Sequence, residues 1–320
     1  MRGEFAFIDA FTAAFPKAGR GVALGVGDDC AALTPAPGHL LCATTDALVE
    51  GVHFERKTFR PEDAGHKALA VNLSDLAAMG AVPRWFLCAL SLDGVADERY
   101  LLGAARGMAA LAREHGCALV GGNVARGPLS FTITALGEAP HAQLLTRSGM
   151  KPGDLLYAVG TFGDAALGLE LVSSRKRPAA RPSPPERAQL RPTPLVRVGL
   201  AAAPHASAAI DVSDGLAQDA GHLATSSRCG VAIELGAVPI SPAVKSLPAA
   251  KRWRLVTSGG EDYALLFAVR PANARALEDA VRSAGARAAP IGEALEGRGV
   301  KLRLPGGRDY QAPRGFDHLR

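Results

Sequence analysis

Short apolar runs alternate along the chain with longer stretches in which apolar residues recur every three or four positions. The runs predict strands and the longer stretches predict helices. The predicted strands include residues 22–26, 40–45, 85–92, 117–120 and 131–136, followed by 155–159, 208–210, 231–235 and 263–269; the predicted helices include 5–15, 67–80 and 98–115. Because the two element types alternate throughout, the pattern favours α/β and α+β layers in two similar halves. A turn at Lys151-Pro-Gly-Asp is typical of a domain start, and we predict domains at residues 1–140 and 141–320.

The helix predicted at residues 67–80 carries one carboxylate, Asp75, among apolar and small residues. Leu69, Leu73 and Leu76 recur at helical spacing, so one stripe is expected to face a core. Asn72 lies on the adjacent stripe with Asp75. Taken alone, such an aspartate is expected to be half exposed or hydrogen-bonded to a neighbouring loop.

Composition indicates an ordinary globular protein with ample core material. The chain has 320 residues, of which 48% are hydrophobic and 21% are charged. No apolar run approaches ~18 residues, and charged residues interrupt the amino terminus, so neither a membrane span nor a signal peptide is indicated and we expect a cytoplasmic protein. The five cysteines form no Cys-x-x-Cys pair, which favours buried thiols over a disulfide or zinc framework.

The positive charge is concentrated in one Pro/Arg-rich stretch near residues 173–197. The formal net charge is +5, and this stretch alone holds seven basic residues against one acidic residue. Its six prolines predict an exposed loop without regular structure. Because no aromatic residues are interleaved for base stacking, we do not expect nucleic-acid binding.

Acidic residues in glycine-rich or strand-end settings are the strongest chemical signal. These residues are Asp28, Asp29, Asp46, Asp75, Asp211, Asp214, Glu261 and Asp262. Singly, each is compatible with a cap or a turn. Together they would repel one another unless divalent cations neutralise them, and all-oxygen ligands suit magnesium. The chain contains neither a Walker loop nor the third glycine of a dinucleotide fingerprint, so neither familiar nucleotide loop is present.

Ordered motifs along the whole chain resemble the thiamine-monophosphate kinase family. They are Gly25-Val-Gly-Asp-Asp-Cys-Ala, Thr44-Thr-Asp-Ala-Leu-Val-Glu-Gly-Val-His-Phe, residues 67–80, Arg126-Gly-Pro-Leu-Ser, Arg147-Ser-Gly, Asp211-Val-Ser-Asp-Gly-Leu and Ser258-Gly-Gly-Glu-Asp-Tyr. This family belongs to the superfamily of aminoimidazole ribonucleotide synthase and selenophosphate synthase. The resemblance implies an amino-terminal α/β domain that forms a mixed β-barrel across a homodimer, and a carboxy-terminal α+β domain.

The resemblance also implies a reaction: magnesium-assisted, in-line transfer of a phosphoryl group from ATP to thiamine monophosphate. The implied magnesium shell, for several ions, is Asp29, Thr44, Thr45, Asp46, Asp75, Asn123, Asp211 and Asp214, with Asp75, Asp29, Asp46 and Asp211 central to catalysis. The implied ATP contacts are Gly122, Asn123, Arg147 and Ser213; His53, Glu261 and Phe316 would line the thiamine-phosphate pocket. The always-charged, bidentate guanidinium of Arg147 suits a phosphate contact.

One motif departs from the family pattern, and two other functions remain open. Where the family usually has Gly-Gly-Asp-Thr, this chain has Gly121-Gly-Asn-Val124, so Asn123 contributes an amide instead of a negative charge. A related ATP-dependent synthase would share the metal site but not the thiamine pocket. A catalytically weak nucleotide-binding scaffold is the alternative that Asn123 supports.

Overall fold

The computed structural model describes residues 3–16 and 19–313. Phe316, predicted for the thiamine-phosphate pocket, lies outside the described residues. The α-helices are α1 (Glu4–Thr12), α2 (Pro61–Ala78), α3 (Glu98–His115), α4 (Asp164–Ser173), α5 (Pro184–Leu190), α6 (Val196–Ala202), α7 (Leu216–Ser227), α8 (Pro242–Lys245), α9 (Ala249–Ser258) and α10 (Ala274–Ser283). The strands are β1 (Val22–Leu24), β2 (Ala32–Leu33), β3 (His39–Val49), β4 (Val82–Leu92), β5 (Ala118–Arg126), β6 (Ser130–Pro140), β7 (Leu155–Val159), β8 (Ala208–Val212), β9 (Gly230–Glu234), β10 (Ala264–Val269), β11 (Ala289–Leu295), β12 (Gly299–Arg303) and β13 (Asp309–Tyr310).

The chain divides into two compact units. The first comprises Met1–Leu76, Ala81–Ala142 and Val172–Arg181, and the second comprises the intervening and following segments. The first unit contains a four-stranded mixed sheet in the order β3-β6-β4-β5, in which β4 and β5 are parallel, and a small β1-β2 pair. Alternate β6 residues Phe131, Ile133 and Ala135 are fully buried, so this sheet has one core face.

Helix α2 is buried on almost every side. From Lys67 to Ala78, Asp75 is the one residue that is not buried. The residues of the predicted core stripe, Leu69, Leu73 and Leu76, are buried as expected, but burial extends beyond that stripe to Lys67 and Asn72. Between Lys67 and Ala78, Asp75 is therefore the position that stays partly accessible.

The second unit is built on a seven-stranded sheet in the order β13-β12-β9-β11-β7-β10-β8. Its pairs are antiparallel except β12 with β9. Leu156, Ile210, Ile233 and Leu266 from four of its strands share a core with Leu223 of α7. The two-domain mixed α/β prediction is confirmed at this level.

Two predicted strand ends are wrong. Asp46 was expected to close a strand, but it lies inside β3, which pairs with β6 without interruption along its eleven residues. Asn123 was expected beyond the end of the strand predicted at residues 117–120, but it lies inside β5, beside Ala89 of β4. In both cases the backbone N–H and C=O groups beyond the apolar run form hydrogen bonds with the neighbouring strand. The end of each strand is therefore decided by pairing with its neighbour and not by where the apolar residues stop.

The Pro/Arg-rich stretch is only partly a loop. Residues 174–183 lack helix and strand, as predicted, but α5 and the start of α6 follow. Helix α5 tolerates its two leading prolines because first-turn N–H groups have no partner within a helix. The Glu186 carboxylate accepts hydrogen bonds from the backbone N–H (2.8 Å) and hydroxyl (2.7 Å) of Ser183, which completes a capping box.

The cysteines were expected to be buried thiols, and most of them are. Cys88, Cys117 and Cys229 are buried as expected, and burial raises the pKa of the Cys88 thiol to about 12. Cys30 is exposed, which the expectation of buried thiols missed.

Within residues 3–16 and 19–313, none of the helices has the length and apolar character that a membrane crossing requires.

Candidate active site

In the first unit, β3 and α2 bring Thr44 and Asp75 into direct contact. The Thr44 hydroxyl donates a hydrogen bond of 2.5 Å to Asp75 Oδ2. One turn earlier on α2, Asn72 Oδ1 accepts the backbone N–H of Asp46 (3.0 Å) while Asn72 Nδ2 donates to the Ala68 carbonyl (3.1 Å). The buried amide therefore ties β3 to α2 next to the contact of Thr44 with Asp75, and Asp46 lies two residues after Thr44, on the same face of β3.

Thr45 points to the opposite face of β3, because side chains alternate along a strand. Its hydroxyl lies 3.1 Å from the Ile133 carbonyl and 3.1 Å from the Thr134 hydroxyl on the paired strand β6. The Thr45 side chain thus does not join Thr44 and Asp75.

A cavity of about 640 Å³ in the first unit collects three more predicted residues. It is lined by Asp29, Gly122 and Asn123, together with residues of α1, β4 and β6. Gly122 has a structural reason of its own, since a Cβ there would lie 2.0 Å from the Cys88 carbonyl oxygen. Asn123 is exposed, so its amide is accessible.

His53 follows β3, and its ring is held by a hydrogen bond from the last residue of that strand. Its Nδ1 accepts the backbone N–H of Val49 at 3.0 Å. A neutral ring that accepts at Nδ1 carries its proton on Nε2, so His53 presents a hydrogen-bond donor at that atom. Beneath it, the buried Lys67 Nζ lies 3.5 Å from the His53 carbonyl and 5.6 Å from the Phe59 ring centroid.

In the second unit, the segment after β8 lies against the segment before β10. The Ser213 carbonyl accepts the Glu261 N–H (2.7 Å), and the Val212 carbonyl accepts the Tyr263 N–H (2.8 Å). Glu261 and Tyr263 have φ values of 68° and 47°, in the left-handed region that non-glycine residues seldom occupy. These bonds bring Glu261 beside Ser213, two residues after the buried Asp211.

Asp262 anchors this strained loop to α4. Its carboxylate accepts the backbone N–H groups of Gly163 (2.8 Å) and Ala165 (3.2 Å). Burial raises the pKa of Asp262 to about 8, because the two N–H bonds offset only part of the desolvation and the charges of Asp164 and Glu261 add to it. Asp262 therefore has a structural role in holding its neighbour Glu261.

Asp214 belongs to a second acidic group at the start of α7. Asp214, Asp219 and His222 each place a ligand atom within 4.8 Å of the others. The buried Asp219 accepts the backbone N–H groups of Asp214 (3.0 Å) and Gly215 (3.1 Å). Burial raises the pKa of Asp219 to about 7, while the nearby charge of Arg147 lowers it. Asp219 was not predicted, although its position five residues after Asp214 on a helix start is a local capping signal.

Comparisons with known proteins give the family. The AIR synthase related protein N-terminal domain matches residues 27–139, and the corresponding C-terminal domain matches residues 151–305. The thiamine-monophosphate kinase of Salmonella typhimurium is 40% identical over 99% of this chain and 98% of its own. The chain belongs to the thiamine-monophosphate kinase family.

Solved structures of this family have the same fold. The crystal structure of thiamine-monophosphate kinase from Stenotrophomonas maltophilia K279a has a TM-score of 0.85 and 39% identity, covering 94% of this chain and 96% of its own. AaThiL complexed with AMPPCP and TMP has a TM-score of 0.77 and 30% identity, covering 99% of both chains. The resemblance predicted from the motifs is confirmed.

Most of the predicted site residues fall into three groups, two in the first unit and one in the second. Asp29, Gly122 and Asn123 share a cavity, and Thr44, Asp46 and Asp75 share the β3–α2 contact. Asp211, Ser213, Asp214 and Glu261 lie at the junction of β8, α7 and β10. Four neighbouring residues were not predicted as site residues: Lys67, Asn72, Gln189 and Asp219. Of these, Gln189 donates a hydrogen bond from Nε2 to Glu261 Oε2 at 2.7 Å.

Proposed function

We propose that this chain transfers the γ-phosphoryl group of ATP to thiamine monophosphate, giving thiamine diphosphate and ADP. The observation that carries the proposal is near-full-length similarity to thiamine-monophosphate kinases. A relative of the same fold is known with AMPPCP, an ATP analogue, and TMP bound together. The acid-rich loops of both units suit a reaction that depends on neutralising phosphate charge.

The side chains fit magnesium by their donor chemistry. The proposed ligands, all of which offer oxygen, are Asp29, Thr44, Asp46, Asp75, Asn123, Asp211 and Asp214; Thr45, whose side chain lies on the other face of β3, is left out of this side-chain set. The contact of the Thr44 hydroxyl with Asp75 shows that two of these oxygens already converge. Bound magnesium would neutralise and orient the phosphates. We expect several ions, because one ion cannot offset this number of carboxylates.

The remaining residues would bind and orient the two substrates. Gly122, Asn123, Arg147 and Ser213 are proposed to contact ATP. His53, with its proton on Nε2, would donate to an anionic oxygen, and Glu261 and Phe316 would line the thiamine-phosphate pocket. A phosphate oxygen of thiamine monophosphate attacks the γ-phosphorus in line; the new P–O bond forms while the bond to the bridging oxygen of ADP breaks, without a protein-bound intermediate.

A homodimer is the proposed assembly, with the first unit's sheet contributing to a shared barrel. The edge strands of that sheet, β3 and β5, are eleven and nine residues long. Leu40 and Leu41 of β3 are exposed, and long apolar edges are a liability that pairing removes. Light scattering at micromolar concentration should give twice the chain mass; a fully active monomer would contradict the assembly.

The activity is tested by measuring ADP release with each component omitted in turn. We expect release to require ATP, magnesium and thiamine monophosphate together, and mass spectrometry to detect thiamine diphosphate in equal amount. Equal turnover without the thiamine ester, or with an aminoimidazole precursor in its place, would support the related synthase instead. Nucleotide binding without turnover would support the weak scaffold.

A further inference from the structure

Gln189 stands out because it is a buried polar residue in a part of the sequence expected to be a solvated loop. It lies on α5 and is 1% exposed. Helix α5 is pressed against α4: a Cβ on Gly168 of α4 would lie 2.0 Å from the Pro185 carbonyl oxygen and 2.9 Å from the Gln189 Cβ. Gln189 therefore has a fixed position, set by backbone-to-backbone contact.

Charge fixes the orientation of the Gln189 amide. Its Nε2 donates to Glu261 Oε2 at 2.7 Å. Rotating the amide by half a turn would place its carbonyl oxygen against the carboxylate, and two acceptors repel. As a result, Gln189 Oε1 is buried without a hydrogen-bond partner among the described residues. A buried oxygen that accepts no hydrogen bond lowers the free energy of unfolding, so a gain in stability does not explain why a glutamine lies at this position.

The hydrogen bond from Gln189 adds a side-chain restraint to the backbone restraints on Glu261. The backbone of Glu261 is held by its N–H bond to the Ser213 carbonyl, and Asp262 fastens the next residue to α4. The Gln189 amide adds a hydrogen bond that holds the side chain itself. A carboxylate ordered before binding avoids the entropy cost of ordering it afterwards.

We propose that Gln189 positions the Glu261 carboxylate for thiamine monophosphate and thereby sets the affinity for that substrate. The proposal rests on the kinase function proposed above and deepens its substrate pocket. Gln189 acts through Glu261 and is a positioning residue. Gln189 should not affect the binding of ATP, because the residues proposed to contact ATP do not include Glu261.

The test compares Gln189→Met, which keeps the length of the side chain but removes the bond, with Gln143→Met, the same change at an exposed glutamine. In the full-length protein, Gln189→Met should raise the KM for thiamine monophosphate roughly ten- to hundred-fold, the equivalent of a hydrogen bond to a charged group. The KM for ATP and kcat should stay within about three-fold. Its thermal midpoint should not fall, because the unpaired oxygen is removed, and the control should behave as wild type.

A double-mutant cycle with Glu261→Gln separates positioning from a merely structural role. If Gln189 acts through Glu261, adding Gln189→Met to Glu261→Gln should raise the KM little further. Should Gln189→Met fail to fold, Gln189→Asn retains the polarity but falls short by one methylene group, and it carries the same expectation.

Three results would overturn the assignment: an unchanged KM for thiamine monophosphate, an equal rise in the KM for ATP, or independent effects in the cycle. Wild-type protein without thiamine-monophosphate-dependent ADP release would instead refute the kinase function, so the two failures are distinguishable.

Discussion

Replacing Gly168 by alanine should destabilise the protein, although the same change in most helix interiors is stabilising. Gly168 lies inside α4, where alanine would gain about 1 kcal/mol in helix propensity. The new methyl group would lie 2.0 Å from the Pro185 carbonyl oxygen, whereas nonbonded atoms prefer about 3.5 Å. The two helices would have to separate by about 1.5 Å, and overpacking of this kind costs about 1 to 3 kcal/mol or more.

Subtracting the propensity gain of about 1 kcal/mol from a steric cost of about 1 to 3 kcal/mol leaves a net loss of up to about 2 kcal/mol. Urea unfolding monitored by tryptophan fluorescence and far-UV circular dichroism measures this loss as a lower midpoint at constant slope. Gly221→Ala is the matched control: it also lies inside a helix, α7, but its Cβ would meet Val300 Cγ2 at 3.6 Å, an ordinary contact. The control should gain about 0.5 to 1 kcal/mol.

Because α5 carries Gln189, Gly168→Ala should also raise the KM for thiamine monophosphate. The reasoning is that the α4–α5 contact makes alanine destabilising at residue 168. It would be refuted by a Gly168→Ala variant as stable as wild type, or by a Gly221→Ala variant that loses as much unfolding free energy as Gly168→Ala.

Three further predictions concern single carboxylates. Asp75→Asn should lower kcat at least ~100-fold while unfolding free energy changes by less than about 1 kcal/mol, because the amide still accepts from Thr44 but has lost its charge; near-normal turnover would make Asp75 an ordinary helix position. Asn123→Asp should lower the magnesium concentration for half-maximal rate about five- to thirty-fold, a gain of about 1 to 2 kcal/mol, and an unchanged titration would assign the amide to the nucleotide alone. The pKa of Asp262 is about 8 in the folded protein, above its ordinary value of 3.8. The stability that its protonated carboxyl group contributes is therefore complete below the unfolded pKa and is lost as the pH rises to and through 8. Metal-free protein should thus unfold at less urea at pH 9 than at pH 6, by at most about 1.4 kcal/mol per pH unit from this group, and Asp262→Asn should flatten that slope; an equal slope in the variant would show that other groups cause it.

The sequence predicted elements whose signals are local. Helix α3 was predicted at the residues where it forms, since Asp97 caps its first turn by accepting the Tyr100 N–H at 2.7 Å. Helix α5 was missed: its local signal, a serine followed three residues later by Glu186, lies in the stretch that the prolines led us to predict as a loop.

Other features depend on contacts that no local pattern encodes. Asp46 lies inside β3 because β6, more than eighty residues away in sequence, supplies its pairing partner Ile133. Gln189 meets Glu261 across 72 residues of chain. The acids were predicted as a set from the motifs, but their arrangement depends on how strands and helices pack, as Thr45 illustrates by facing away from Thr44.

The buried amide of Asn72 has a consequence for which cation the proposed metal site accepts. By bonding the Asp46 N–H and the Ala68 carbonyl at once, it fixes the separation of β3 and α2 before any ion arrives. Calcium binds oxygen at about 2.3 to 2.6 Å and favours a flexible shell, whereas magnesium requires about 2.1 Å and a strict octahedron. A scaffold held at this separation favours the smaller ion, so selectivity at Asp46 and Asp75 would depend on a residue that touches no metal.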